Sequence, residues 1–266
     1  MDVSPVSIED DLQSIFKPAV DLETPSFVHM GIYGRSNTGK TTFALSCPRP
    51  CYIIDTENSV KENLVAYSMD FKANLNVAEV LEYANKVEGK IDLTKSLNML
   101  FKATDVITSV VSKSSLDPTL PIGTIVIDSC TDVWDWLSIW LEENTTKIGK
   151  DQDRIMRTEW GKANRKYTEF MYMLLASKWN VVFTFRSRPA VNSKGEDLGY
   201  DNPRWQKNTE HWLTISTEMK LEGLDRVMYF RKCRWGDISQ EIINPAWETF
   251  TSHISSHTGV KLSNGD

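Results

Sequence analysis

Gly34-Arg-Ser-Asn-Thr-Gly-Lys-Thr41 decides what this chain folds into. The run has the spacing G-x-x-x-x-G-K-[ST], that of a loop that cradles phosphates. Its glycines let successive backbone N–H groups curl around β- and γ-phosphates. Lys40 adds a positive charge there, and the Thr41 hydroxyl is offered to Mg²⁺. Arg35, Ser36, Asn37 and Thr38 fill the positions between the glycines Gly34 and Gly39, and Thr42 closes the segment expected to hold the nucleotide. Phe27-Val-His-Met-Gly-Ile-Tyr33 reads as a buried strand entering the loop, and Thr41-Thr-Phe-Ala-Leu-Ser46 as the helix leaving it. The helix starts with its positive dipole end facing the anion. Strand–loop–helix is the setting such a loop requires.

Working outward, a second buried strand is Cys51-Tyr-Ile-Ile-Asp55, a third Thr124-Ile-Val-Ile-Asp128 and a fourth Trp179-Asn-Val-Val-Phe-Thr-Phe185. An apolar strand ending in aspartate is the Walker B pattern, and Asp128 would hold Mg²⁺ opposite Thr41. Alone, such an aspartate is as readily a cap for the next helix. Hydrolysis also needs a base. The residue after Asp128 is Ser129, and the next glutamate in sequence is Glu142. In a doubly wound sheet the C-terminal strand ends line one crevice. Glu57, just past the second strand, would then be placed to polarise the attacking water. The alternative is that Asp55 and Glu57 simply open the next helix, where acids are favoured.

The remaining pattern alternates helices with strands. Residues 60–116 read as helical, with Val77, Val80, Leu81 and Ala84 and then Leu97, Leu100, Phe101, Val106 and Val110 at helical spacing. Two further helices are expected, over Asp132–Asn144 and about Arg154–Ser177. A polar stretch without clear period follows, from Ser187 to Asn208. Strands at about 212–221, 226–232 and 238–243 and a short helix at 246–254 close the pattern. The expected fold class is α/β: a mostly parallel sheet with helices on both faces, extended by antiparallel strands near the C-terminus. Residues 1–26 read as an arm, 27–254 as the domain and 255–266 as a flexible tail.

Composition narrows the function. Hydrophobic residues make up 41% and charged residues 25% of the 266, ordinary for a globular protein. The net charge of −6 and pI near 5.4 exclude a protein that coats DNA by charge alone, so any nucleic-acid contact must be local. No apolar run approaches the ~18 residues of a membrane span, and the N-terminus lacks a signal-peptide pattern. A cytoplasmic protein without membrane contact is expected. Cys47, Cys51, Cys130 and Cys233 are scattered, with no zinc spacing.

Asp55-Thr-Glu57 after the second strand and Ile125-Val-Ile-Asp-Ser129 at the third resemble the RecA-like core ATPases, a group that includes strand-exchange recombinases and ring helicases. The resemblance spans roughly residues 27–235. It looks closest to small phage-encoded RecA-like proteins linked to single-strand annealing and recombination, as Trp160-Gly-Lys-Ala-Asn-Arg165 also suggests. It implies ATP and Mg²⁺ as cofactors and Glu57 as the catalytic glutamate. Arg186 stands where the family commonly has a polar sensor, often Gln; a surface arginine entering a loop is the plainer reading. Lys232-Cys-Arg234 resembles a K-x-R pair that reaches a neighbouring subunit's ATP site, against the alternative of outward cations on a surface strand. A homo-oligomer, ring or filament, is therefore implied.

Single-stranded DNA is the implied further partner. Arg188, Lys194, Arg204, Lys207, Tyr200 and Trp205 lie where the family places a DNA loop, and cations with aromatics suit single strands. A second basic stretch runs from Lys147 to Lys166, with Arg154, Arg157, Lys162 and Arg165 inside it. A solvated lid is the alternative for both. Phe16-Lys-Pro-Ala19 has an F-x-x-A spacing used for docking onto a neighbour, though so short a pattern also arises by chance. Trp134, Trp136 and Trp140 on one helix suggest burial on several sides or a subunit contact. Two other functional classes fit the same motifs: a nucleotide-gated switch or small-molecule kinase without DNA, and a DNA-packaging or remodelling motor.

Overall fold

The computed structural model describes residues 19, 24–114, 117, 121–145, 155 and 158–263. The strand entering the loop is β1 (His29–Gly34), and the helix leaving it is α1 (Lys40–Leu45). Then come β2 (Cys51–Asp55), the one-turn helices α2 (Val60–Asn63) and α3 (Met69–Lys72), β3 (Leu75–Glu79), and a small hairpin of β4 (Tyr83–Asn85) and β5 (Lys90–Ile91). The long helix α4 (Leu93–Ser114) precedes β6 (Thr124–Asp128), α5 (Cys130–Asn144) and α6 (Trp160–Leu175). β7 (Asn180–Val191), β8 (Asp197–Pro203), the short α7 (Thr209–Trp212), β9 (Ile215–Glu222), β10 (Asp225–Cys233), β11 (Ile242–Ile243) and α8 (Trp247–Thr258) complete the order.

The main sheet runs β11-β10-β9-β1-β7-β6-β2-β3, with β8 paired to β7. From β9 to β3 the pairings are parallel, and β10 and β11 add antiparallel strands at one side. This is the expected fold class. Both faces are covered, and the period-two alternation of each strand sorts its side chains between two cores. Tyr33, Ile54, Ile125, Ile127, Phe183 and Phe185 pack with α4, α5 and α6. Met30, Ile32, Ile53, Val126 and Val182 pack on the other face with Phe43 of α1 and Trp247, Phe250 and Ile254 of α8. Each such apolar side chain contributes about 1.5–3 kcal/mol by burial. The strands in the middle of the sheet can thus be apolar throughout.

Three segments differ from the sequence reading. Residues 60–116 are not helical throughout: Val77 lies on β3, at the edge of the sheet, and only α4 is a long helix. Parallel pairing with β2 overrides the accidental helical spacing of Val77, Val80, Leu81 and Ala84. The polar stretch after Phe185 is not a loop; β7 continues to Val191 and returns as β8. At the end, α8 runs to Thr258, and Val260 and Leu262 beyond it are buried, so packing continues into the segment expected to be a loose tail. Most of the 1–26 arm, including Phe16, lies outside the described residues.

Candidate functional site

Register brings the chemistry together. Gly34 at the end of β1 pairs opposite Arg186 on β7, and Asp55 at the end of β2 opposite Asp128 on β6. One strand, β7, therefore stands between the strand that feeds the loop and the strand that ends in Asp128. Together these ends frame a cleft of about 870 Å³ lined by Gly34, Arg35, Ser36, Asn37, Gly39, Lys40, Thr41 and Thr42, and by Glu57, Asp128 and Arg186.

Backbone geometry shapes the loop. Gly39 has φ 94°, a conformation that side chains rarely adopt. A Cβ on Gly34 would lie 2.3 Å from the Met219 carbonyl oxygen. The Lys40 ammonium donates to the carbonyls of Gly34 (3.0 Å) and Arg35 (2.7 Å), which keeps it across the mouth of the loop. Burial lowers its pKa, against the opposing attraction of Asp128 and Glu57. Thr38 turns inward, its hydroxyl donating to the Arg35 carbonyl at 2.9 Å.

The Thr41 hydroxyl donates to Asp128 Oδ2 at 2.6 Å, and the Thr184 hydroxyl donates to Oδ1. Asp128 is buried, and burial raises its carboxyl above the ordinary range although both hydroxyls pull the other way. The Asp128–Ser129 peptide bond is cis. Thr41 and Asp128 would supply oxygen ligands, the donor type a hard cation such as Mg²⁺ takes. Among the described residues no cluster of three or more His, Cys, Asp or Glu offers an all-protein metal cage. The donor set fits Mg²⁺ that arrives with a nucleotide.

Asp55 and Glu57 take different roles. Asp55 is buried and accepts from the backbone N–H groups of Glu57 (3.1 Å) and Val60 (2.8 Å), so it builds the turn. Glu57 points into the cleft and accepts from Arg186 at 2.7 Å. Arg186 also pairs with Asp132 at 3.0 Å, and Asp132 accepts from the Thr56 hydroxyl (2.9 Å) and the Ser129 hydroxyl (3.1 Å). Burial raises the Asp132 carboxyl, against the pull of Arg186. Thr184 and Asp132 escaped the sequence reading. Their signals were a polar residue within the apolar run from Val181 to Phe185 and an acid in the first turn after Ser129.

The expected DNA residues divide. Arg188 and Lys194 are exposed on the β7–β8 hairpin, and so is Tyr200. Lys207 is exposed beyond it, near α7. Arg204 pairs with Asp135 at 2.7 Å. Trp205 is half-buried, and its ring packs at a steep angle against Phe185 and Tyr33, with centroids 5.1 and 5.8 Å away. The hairpin is tied to the phosphate loop by Arg35, whose guanidinium donates to both Asp201 oxygens at 2.7 Å. In the second basic stretch Lys147, Lys150, Arg154 and Arg157 lie outside the described residues. Lys162 there pairs with Glu159, and Lys166 sits 4.9 Å from the Trp140 ring centroid.

Lys232 and Arg234 lie away from the cleft. Cys233 between them pairs opposite Ile215, which pairs opposite Met30, at the start of β1 rather than its end. Lys232 donates to the Glu210 carbonyl and Arg234 to the His211 carbonyl.

A family model described as AAA domain matches residues 26–234. The chain belongs to the AAA domain family. It is an ATPase with a P-loop, and its helices, among the described residues, include none long and apolar enough to cross a membrane. Among solved structures, this AAA domain is similar to an ATPase from the type III secretion system of pathogenic bacteria at 11% identity and TM-score 0.46, covering 73% of this chain and 52% of that one. It thus spans about half the length of that protein. The RadB recombinase is similar at 15% identity and TM-score 0.36, covering 83% and 87%. The flagellar accessory protein FlaH from Methanocaldococcus jannaschii is similar at 11% identity and TM-score 0.38, covering 90% and 92%. No curated protein matches the chain.

Proposed function

We propose that this AAA domain hydrolyses ATP within a homo-oligomer, ring or filament, and uses the cycle on single-stranded DNA in recombination, annealing or repair, in the manner of the small phage-type RecA-like proteins. One observation carries the reading. β7 is a single strand that touches the hydrolysis machinery near its middle and forms the exposed hairpin at its C-terminal end. Thr184 meets Asp128, Arg186 meets Glu57, and five residues past Arg186 the strand ends at Val191, at the edge of the turn that carries Lys194. A displacement at the γ-phosphate position is passed along a rigid element to exposed cations and Tyr200.

In this reading Lys40 and the backbone N–H groups of Gly39 to Thr42 bind the phosphates, and Thr41 and Asp128 hold the metal. Mg²⁺, when bound, neutralises charge on the β- and γ-phosphate oxygens. Glu57 orients and polarises the attacking water after releasing Arg186, whose guanidinium then faces the transferred phosphoryl group. Lys232 and Arg234, at the opposite end of the strands, reach a nucleotide only on a neighbouring subunit, which ties turnover to assembly.

The test is steady-state ATP hydrolysis with and without single-stranded DNA across protein concentrations at moderate salt. Stimulation by single strands, rising more than linearly with protein, is expected. A slow rate that ignores DNA and stays linear in protein overturns the DNA reading in favour of a nucleotide switch or small-molecule kinase. Stimulation by duplex alone favours a motor.

A further inference from the structure

Four cations line the cleft: Arg35, Lys40, Arg186 and Arg226. Three are engaged by the protein. Arg35 is held by Asp201, Lys40 by the Gly34 and Arg35 carbonyls, and Arg186 by Glu57 and Asp132. The Arg226 guanidinium has no ion pair and no hydrogen bond among the described residues. It nevertheless has a fixed place. Its stem lies directly on the phosphate loop: a Cβ built on Gly39 would stand 2.3 Å from Arg226 Cδ and 2.8 Å from Nε.

The backbone beneath it is clamped. Arg226 N–H donates to Asn244 Oδ1 at 3.0 Å, and Asn244 N–H donates to the Arg226 carbonyl at 2.6 Å. The Asn244 amide also donates to Asp225 at 2.8 Å. Asn244 adopts φ 48°, a left-handed conformation that asparagine tolerates better than most residues. The start of β10 is thus pinned on both sides, so an otherwise flexible side chain projects from a rigid base into the cleft.

We infer that Arg226 is a nucleotide-binding residue of the same subunit, its guanidinium taking a phosphate oxygen of the bound nucleotide beside Gly39. An exposed arginine without an acidic partner, laid against the loop whose N–H groups face an anion, is positioned for that contact, and its planar fork suits phosphate. The inference rests on the reading of Gly34–Thr42 as the nucleotide site. It assigns to the start of β10 a role distinct from that of Lys232 and Arg234 at its end.

The experiment titrates a fluorescent ATP analogue with Mg²⁺ into wild type, Arg226→Ala, Arg226→Lys, Asn244→Ala and, as the control for the site itself, Lys40→Ala. Inorganic triphosphate serves as a competitor. Arg226→Ala should weaken both ATP and triphosphate by roughly 10- to 100-fold, the range for one charge-assisted hydrogen bond. The ligand-free melting temperature should stay at its wild-type value. Arg226→Lys, which keeps the stem on Gly39, should recover part of the loss, and Asn244→Ala should lose affinity in the same direction by freeing the base of the side chain. If Lys40→Ala abolishes binding while Arg226→Ala stays within twofold of wild type, this inference fails and the site reading stands. If neither variant changes binding, both fail. Weakened ATP with unchanged triphosphate moves the contact to the nucleoside and overturns the phosphate assignment.

Discussion

Asp128→Asn should make the ligand-free protein more stable and the enzyme inactive. Asp128 is buried at the end of β6 and accepts two hydroxyl hydrogen bonds, from Thr41 and Thr184. Burying a carboxylate that makes no ion pair costs several kcal/mol. Two hydrogen bonds to a charged acceptor return about 1.5–3 kcal/mol each, so the terms nearly cancel. Asparagine has the same shape, keeps one acceptor and removes the charge. A ligand-free gain of about 1 kcal/mol follows, or roughly 2–4 °C for a domain of this size. Binding reverses the order. Wild type with Mg²⁺ and ATP at 100 times the dissociation constant should gain about 2.7 kcal/mol, and the variant should gain far less.

The pH dependence has a definite sign. Burial raises the folded Asp128 carboxyl above its unfolded value, about 3.9 for an aspartate. The native state therefore holds more protons between the two values, and stability falls as pH rises through that window. The advantage of asparagine should vanish at the acid end of the window and reach its full size above the raised folded value. Thermal melts with and without Mg²⁺ and ATP, between about pH 4 and pH 8, measure both effects. A ligand-free variant that melts well below wild type, or one that keeps its Mg²⁺-dependent shift, refutes the reasoning.

Glu57→Gln should retain nucleotide binding and lose hydrolysis by roughly 10²-fold or more; an unchanged rate moves the base elsewhere. Arg234→Ala should leave nucleotide affinity intact and lower turnover by about 10³-fold only in assembled protein, and an equal loss in a proven monomer contradicts the in-trans role. Gly34→Ala would set a Cβ 2.3 Å from the Met219 carbonyl oxygen and 2.9 Å from Thr38 Oγ1. It should cost about 1–3 kcal/mol by overpacking and remove the melting shift that ATP induces; a variant that melts with wild type and still responds to ATP shows that the loop does not depend on this close approach.

The parts of the site legible in the sequence were those whose chemistry is local. The loop from Gly34 to Thr41 carries its own spacing, and Asp128 ends an unbroken apolar strand, so both could be placed before any fold was known. Residues joined by register could not. Nothing near Thr184 in the chain says that its hydroxyl meets Asp128, because β6 and β7 become neighbours only in the sheet. Arg226 reads as an ordinary strand cation until β10 is seen to begin beside Gly39. The packing of Trp205 on Tyr33 and Phe185, distant in sequence, likewise shows only in the fold. The hairpin of β7 and β8 was hidden because its outer strand is exposed along most of its length, which leaves no apolar alternation to read.

The attachment of that hairpin has a consequence for how the molecule can be altered. Arg35 and Ser187 both grip Asp201, close to where β7 leaves the sheet, and the turn from Asn192 to Glu196 holds itself together through the Asn192 side chain. Fastening at the base and self-sufficiency at the tip make the outer turn an interchangeable head. Its sequence can be exchanged, lengthened or grafted from another source while the catalytic groups keep their places. If the hairpin makes the contacts proposed for it, those contacts can be altered separately from the nucleotide site.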